Sequence, residues 1–228
     1  MKRTIAAGVL LVGLVALYQI TARANGSPVR STPPSESRVL TTEERAIEAY
    51  NSGIARRDRG QKYEQEAERK TGSDQQRAEQ RAQGEYQRAL KEFERAVQLS
   101  PKLFQAYNGM GYALRKTGDY TRALEMYDRA IEMAPGLYTE AIEYRGEAYL
   151  GLNRIDDAKQ AYLDLFGSDR KQADALLQQM KIWIGKRKAE PAGVDPAALA
   201  GFETWVGERA GIAQVTARMA VDGPPSTW

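Results

Sequence analysis

The sequence predicts an all-α fold of antiparallel helix pairs stacked in tandem, opened by a long first hairpin and closed by C-terminal capping helices. Three observations predict it. The middle of the chain repeats itself at a fixed offset, each copy carries apolar residues at helical spacing, and glycine and proline punctuate the copies at matching places. At an offset of 34, Gly84 meets Gly118, Tyr86 meets Tyr120, Ala89 meets Ala123 and Leu90 meets Leu124. Phe93 likewise meets Tyr127, Ala96 meets Ala130 and Pro101 meets Pro135. At an offset of 35, Gly111 meets Gly146, Tyr120 meets Ile155, Ala123 meets Ala158 and Tyr127 meets Tyr162. Three copies therefore lie in a row, with one residue inserted between the second and the third.

The first residues read as an export signal. Lys2 and Arg3 precede an apolar run from Thr4 to Ile20, and Ala22 and Ala24 are the small residues of a cleavage site after Ala24. The apolar run, about 17 residues, is also at the low end for spanning a hydrocarbon core. Residues 1–24 are thus a signal peptide or an uncleaved membrane anchor, and either one exports the rest. Residues 25–41, with Pro28, Pro33, Pro34 and several serines, read as a disordered tether too poor in apolar residues to order itself.

The long hairpin comes next. Glu43 to Lys70 reads as one helix on the order of 40 Å in length, capped by Thr41 or Thr42, with Glu43 and Glu44 near its positive end. Thr71-Gly72-Ser73 is the turn, and Asp74 to Leu99 the returning helix, with Ser73 or Asp74 as its cap. Beyond an ordinary repeat length, Arg56–Lys70 and Asp74–Gln83 form a projecting arm with a thin seam of Tyr63, Ala67, Ala78 and Ala82. Such an arm reads as a docking or dimerisation element, or as a solvated extension.

The middle copy is the clearest. Phe104–Lys116 places Tyr107, Met110 and Leu114 at helical spacing, with Ala106 and Gly111 where a neighbouring helix comes close. Gly118 ends that helix. Tyr120–Met133 is the second helix, with Tyr120, Ala123, Leu124, Tyr127, Ala130 and Ile131 on one face, and Pro135 stops it. Tyr107, Met110, Leu124 and Tyr127 read as core.

The run Ala106-Tyr107-Asn108-Gly109-Met110-Gly111, followed by Gly118-Asp119-Tyr120, Ala123, Tyr127, Ala130 and Pro135, resembles a tetratricopeptide repeat. The first copy carries the resemblance in its second helix. The third carries it through Gly146, Tyr149, Ala158 and Tyr162, with Arg170 in place of the proline and Arg145 in place of an apolar residue. The resemblance covers roughly residues 42–172. It implies a right-handed superhelix of helix pairs whose concave face binds peptides or protein segments. By analogy with exported proteins of this repeat style, it also implies a bacterial periplasm, free or anchored at the inner membrane.

After the third copy, Asp169–Lys186 carries the stripe Ala173, Leu176, Leu177, Met180, Trp183 and Ile184, and reads as a capping helix. The repeat domain with this cap spans 42–188. Lys186-Arg187-Lys188 reads as cations at a helix C-terminus in preference to a nucleic-acid or lipid patch. Residues 189–228 read as a linker, a short helix and a tail. The helix runs from Pro196, capped by Asp195, to about Arg209, with Leu199, Phe202 and Val206 on its apolar face beside Trp205, and is broken near Gly211.

Composition narrows the chemistry. The chain has no cysteine and no histidine, which removes disulfides, thiol nucleophiles, cysteine or histidine metal sites and imidazole catalysis. Phosphate-binding loops of the GxxxxGK[ST] type, GxGxxG fingerprints, GxSxG elbows and EF-hand spacing are also missing. The acid pairs Glu43/Glu44 and Asp156/Asp157 sit at helix starts, where capping accounts for them. No catalytic residue, cofactor or metal is expected. The formal charge of +3 belongs to Lys2, Arg3 and Arg23 in the leader, so residues 25–228 balance and nucleic acid loses its electrostatic argument.

What remains is a binding face. Matched to the repeat pattern, the groove-facing positions are Gln105, Asn108, Tyr112 and Arg115 in the middle copy and Glu143 and Glu147 in the third. Asn108 suits the backbone of an extended peptide, Arg115 a carboxylate, and Tyr112 an apolar contact. The mixed signs suit an internal polypeptide segment or a folded partner. The expected partner is therefore a protein or peptide, with no nucleic acid, and with a membrane only through an uncleaved anchor. The long hairpin offers a route to a homodimer.

Overall fold

A computed structural model of the chain describes residues 39–222, with side chains as far as Val215. The export signal, almost all of the tether, and the tail from Gly223 lie outside the described residues. Eight helices and no strand make up the described residues. They are α1 Thr42–Ala67, α2 Gly72–Leu99, α3 Phe104–Lys116, α4 Tyr120–Met133, α5 Thr139–Gly151, α6 Ile155–Phe166, α7 Arg170–Ala189 and α8 Pro196–Asp222. Successive helices pair, α1 with α2, α3 with α4, α5 with α6 and α7 with α8. The first helices of the pairs also touch in series, α1 with α3, α3 with α5 and α5 with α7, so their outward residues share one face.

Local chemistry sets the helix ends. Thr41 forms a reciprocal capping box with Glu44. Thr41 Oγ1 accepts from the Glu44 amide at 3.2 Å, and Glu44 Oε2 accepts from the Thr41 amide at 2.8 Å. Asp119 caps α4 by accepting from the Arg122 amide at 3.2 Å. Asp195 caps α8 by accepting from the Ala198 amide at 2.9 Å, with Pro196 as its first residue. The start of α2 differs from expectation. Neither Ser73 nor Asp74 caps it. Gly72, at φ +61°, turns the chain directly after Thr71, which makes no side-chain cap bond.

Pairing rests on rings packed against glycines. A Cβ placed on Gly111 would lie 2.6 Å from the Tyr127 ring, so the two helices of the middle pair approach only because Gly111 lacks one. The first pair repeats this device twice. Gly53 meets Phe93, and Gly60 meets Tyr86, each with a ring atom 2.5 Å from where a Cβ would stand. Twenty-four more residues separate Gly53 from Phe93 than separate Gly111 from Tyr127. The hairpin is therefore a normal helix pair with its tip lengthened on both arms. Beyond Gly60 the seam is Ala67, Ala78 and Ala82, all buried, with Tyr63 half-buried beside them.

The core runs from Ala46 to Val206 through the fully buried Tyr86, Phe93, Tyr127 and Tyr162. Aromatic side chains of this size contribute most of the apolar area a small helical array can bury. At the C-terminal end, α7 covers α5 and α6, and α8 covers α7. Trp183 meets Phe202 edge-on at 5.7 Å, and Phe202 stacks on Trp205 at 6.1 Å. Two boundaries correct the sequence reading. The capping helix α7 continues to Ala189, and α8 is one helix of 27 residues with no break at Gly211. A single glycine costs a helix only about 1 kcal/mol, which the neighbouring alanines offset.

Candidate binding groove

The face shared by α1, α3 and α5 gathers the residues that the repeat pattern singles out. Asn108, Tyr112 and Arg115 on α3 and Glu143 on α5 are all buried on it, while Gln105 and Glu147 are partly exposed. Their spacing explains the gathering. Asn108, Tyr112 and Arg115 recur at intervals of three and four, as do Glu143 and Glu147, so each set stands on one side of its helix. Gln105 stands alone at the near end, with no bond to the others.

Several side chains that the sequence suggested for a partner are engaged inside the chain. Asn108 Nδ2 donates to the Tyr138 hydroxyl at 3.0 Å and to Glu140 Oε2 at 3.2 Å. The Tyr144 hydroxyl donates to the other oxygen of Glu140 at 3.3 Å. Tyr112 accepts from Gln61 Nε2 at 2.8 Å and meets Tyr144 edge-on at 5.2 Å. Arg115 pairs with Glu147 and donates from Nε to the Tyr127 hydroxyl at 3.3 Å. Its guanidinium lies 5.1 Å from the centres of both the Tyr112 and Tyr144 rings. Arg115 is thus a brace between α3 and α5, not an open receptor for a carboxylate.

Electrostatics follow from this burial. Burial disfavours the Arg115 cation, but the facing Glu147 carboxylate outweighs it and raises the pKa, so the guanidinium stays charged. Glu143 is in the opposite position. Burial first, and then the adjacent Glu147, push its carboxyl well above the usual range, because Arg115 is already paired with the partly exposed Glu147. A neutral Glu143 hydrogen-bonded to Glu147 resolves the conflict.

The lengthened arm takes part as well. Its base docks on α3 instead of projecting freely. Lys116 Nζ donates to Glu64 at 2.7 Å, Gln83 Nε2 donates to the Lys116 carbonyl at 3.0 Å, and Arg57 lies over the Tyr112 ring at 5.7 Å. Sequence reasoning missed Tyr50, Arg57 and Gln61 on α1, and Tyr138, Glu140 and Tyr144 at α5. One signal pointed to the first two. Gly53 is the first pair's counterpart of Gly111, which sets Tyr50 level with Asn108 and Arg57 level with Arg115.

This arrangement of glycine-seated rings, paired helices and a common first-helix face agrees with the family comparison. One tetratricopeptide-repeat family model matches residues 79–138, and another matches residues 114–180. The chain is a tetratricopeptide-repeat protein. The matched segment runs from the returning arm of the hairpin to residue 180, about midway along α7. Tetratricopeptide repeats mark a protein–protein interaction module that takes protein or peptide partners. No curated protein matches the sequence. Among the described residues of this tetratricopeptide-repeat protein, no helix is long and apolar enough to cross a membrane.

Proposed function

We propose that the protein is an exported, non-catalytic adaptor that holds a segment of another polypeptide on the face shared by α1, α3 and α5. The observation that carries this reading is the internal bracing of that face. Gln61 to Tyr112, Asn108 to Glu140 and Arg115 to Glu147 fix side chains from three helices in place before any partner arrives. A surface ordered in advance loses little side-chain entropy on binding. The remaining surface offers the partly exposed Gln105, Tyr138, Glu140, Tyr144 and Glu147. The export half of the reading rests on the leader pattern of residues 1–24, which suits a periplasmic or envelope address.

Self-association through the hairpin has less to build on. None of the exposed large apolar side chains among the described residues falls between Ile47 and Met133, which leaves the arm without an apolar surface to bury.

A photo-crosslinking residue placed at Gln105 tests the groove in the producing cells. The expected result is a discrete adduct from position 105 and none from Glu132, which is exposed on α4. Equal adducts from both positions, or none from position 105, contradict the proposal.

A further inference from the structure

A cleft of about 340 Å³ lies beyond the braces. Glu64 on the hairpin arm, Arg115 and Lys116 at the end of α3, and Glu147 on α5 line one part of it. Ile182, Trp183, Lys186 and Arg187 on α7 line another. The repeat pattern does not foresee this cleft, because the lengthened arm and α7 supply much of its wall.

The charges in the cleft do not cancel. Arg115 is matched by Glu147, and Lys116 by Glu64. Lys186 is exposed and makes no ion pair among the described residues. Arg187 donates from Nε to a neutral acceptor, Asn153 Oδ1, at 3.2 Å and lies 5.5 Å from the Trp183 ring centre. Two positive charges are left over. The third cation of the run, Lys188, pairs with Glu203 at 2.6 Å and does not line this cleft. Cations at a helix C-terminus need no partner to account for them. Here, however, two of the three line a cavity wall beside Ile182, an apolar side chain left 42% exposed one turn before Lys186.

We propose that this cleft takes an acidic side chain of the bound polypeptide at Lys186 and Arg187, with a neighbouring apolar side chain laid on Ile182. The proposal rests on the groove reading above and names the chemistry of the partner. A carboxylate fits because two adjacent cations, one a guanidinium, offer it charge-assisted hydrogen bonds. A nucleic-acid backbone repeats its charge along its length and needs an extended basic stripe. Here two carboxylates stand in the same cleft, and residues 25–228 balance in charge.

The test uses the full chain on an array of random octapeptides. Wild type is compared with the double variant Lys186→Glu, Arg187→Glu, and with Lys188→Glu and Tyr144→Ala. Bound peptides are expected to be rich in Asp or Glu next to an apolar residue. The double variant should lose about tenfold in signal on those peptides, and Lys188→Glu less than about twofold. Circular dichroism should show the double variant folded, since Lys186 is exposed and Arg187 only half-buried. Peptide selection that survives the double reversal but is lost in Tyr144→Ala overturns this proposal and leaves the groove standing. No peptide selection by wild type overturns both. A 20-nucleotide single strand and phosphatidylglycerol vesicles form the last two arms. Tighter binding of either than of the selected peptides, lost on the double reversal, overturns the proposal in favour of a phosphate ligand.

Discussion

The first and middle helix pairs use the same device and fill it differently. In α3–α4, Gly111 seats Tyr127, and around them Met110, Ala113, Leu114, Ala123 and Leu124 make an apolar core. In α1–α2, Gly53 and Gly60 seat Phe93 and Tyr86, but beyond Gly60 the seam thins to alanines. A buried charge adds to the packing at the base of the arm, just before Gly60. Glu85, on α2, accepts from Arg59 at 3.0 Å, from Arg88 at 2.5 Å and from Arg56 at 3.4 Å. Apolar burial holds the α3–α4 core in a way that salt barely touches. The arm is held by small residues and by charges that salt and acid can weaken. A long helical hairpin can thus grow out of a repeat without an apolar core of its own, provided that charge pairs and a docking contact hold its base.

The largest expected effect lies in the body. Tyr127→Ala removes a fully buried ring and should cost about 3–5 kcal/mol, read as a lower urea midpoint of the whole domain. Next comes Glu85→Ala, which leaves three arginines without their shared acceptor and should cost about 1–3 kcal/mol. The loss should show as faster proteolysis between residues 56 and 83, with the far-ultraviolet spectrum of the body retained. Burial pushes the Glu85 carboxyl up, but the three arginine hydrogen bonds more than reverse this and leave its pKa lowered. The stability it provides is present above the ordinary glutamate pKa and lost as pH falls through the lowered value. Arm protection should therefore weaken in acid in wild type and be weak at every pH in Glu85→Ala.

Glu143 in the groove works in the opposite sense. Its folded pKa is raised, so its contribution is complete below the ordinary glutamate pKa and is lost as pH rises toward the raised value. Glu143→Gln should keep the hydrogen bond to Glu147 and flatten the fall in melting temperature between about pH 5 and pH 8. An unchanged slope contradicts the shared-proton account of that pair. The smallest effect belongs to the docking contact. Glu64→Gln breaks a part-exposed pair with Lys116 and should cost at most about 1 kcal/mol, and less in high salt.

How much of this was legible in the sequence follows the same division. The bounds of α3 and α4 could be read directly, because Gly111, Gly118 and Pro135 sit at the spacing the repeat demands. The first helix of the first repeat could not be found by a fixed offset. The lengthened tip displaces Gly53 by twenty-four residues from its counterpart, so only the returning helix lined up. The groove positions were legible one by one from the pattern, but their engagement was not. The bond from Gln61 to Tyr112 joins residues 51 apart, and nothing local in either stretch announces it. The length of α8 was misjudged because a glycine inside a helical run reads as a stop when its neighbours in space are unknown.

Hydrogen exchange followed by mass spectrometry tests the central contrast most directly, on wild type and Glu85→Ala. The account predicts that amides of Phe104–Lys116 and Tyr120–Met133 exchange only with global unfolding. Amides of residues 61–83 should exchange through a lower-energy local opening, which Glu85→Ala speeds further while leaving the body unchanged. Equal protection of arm and body in wild type, or a variant that speeds both together, would contradict it.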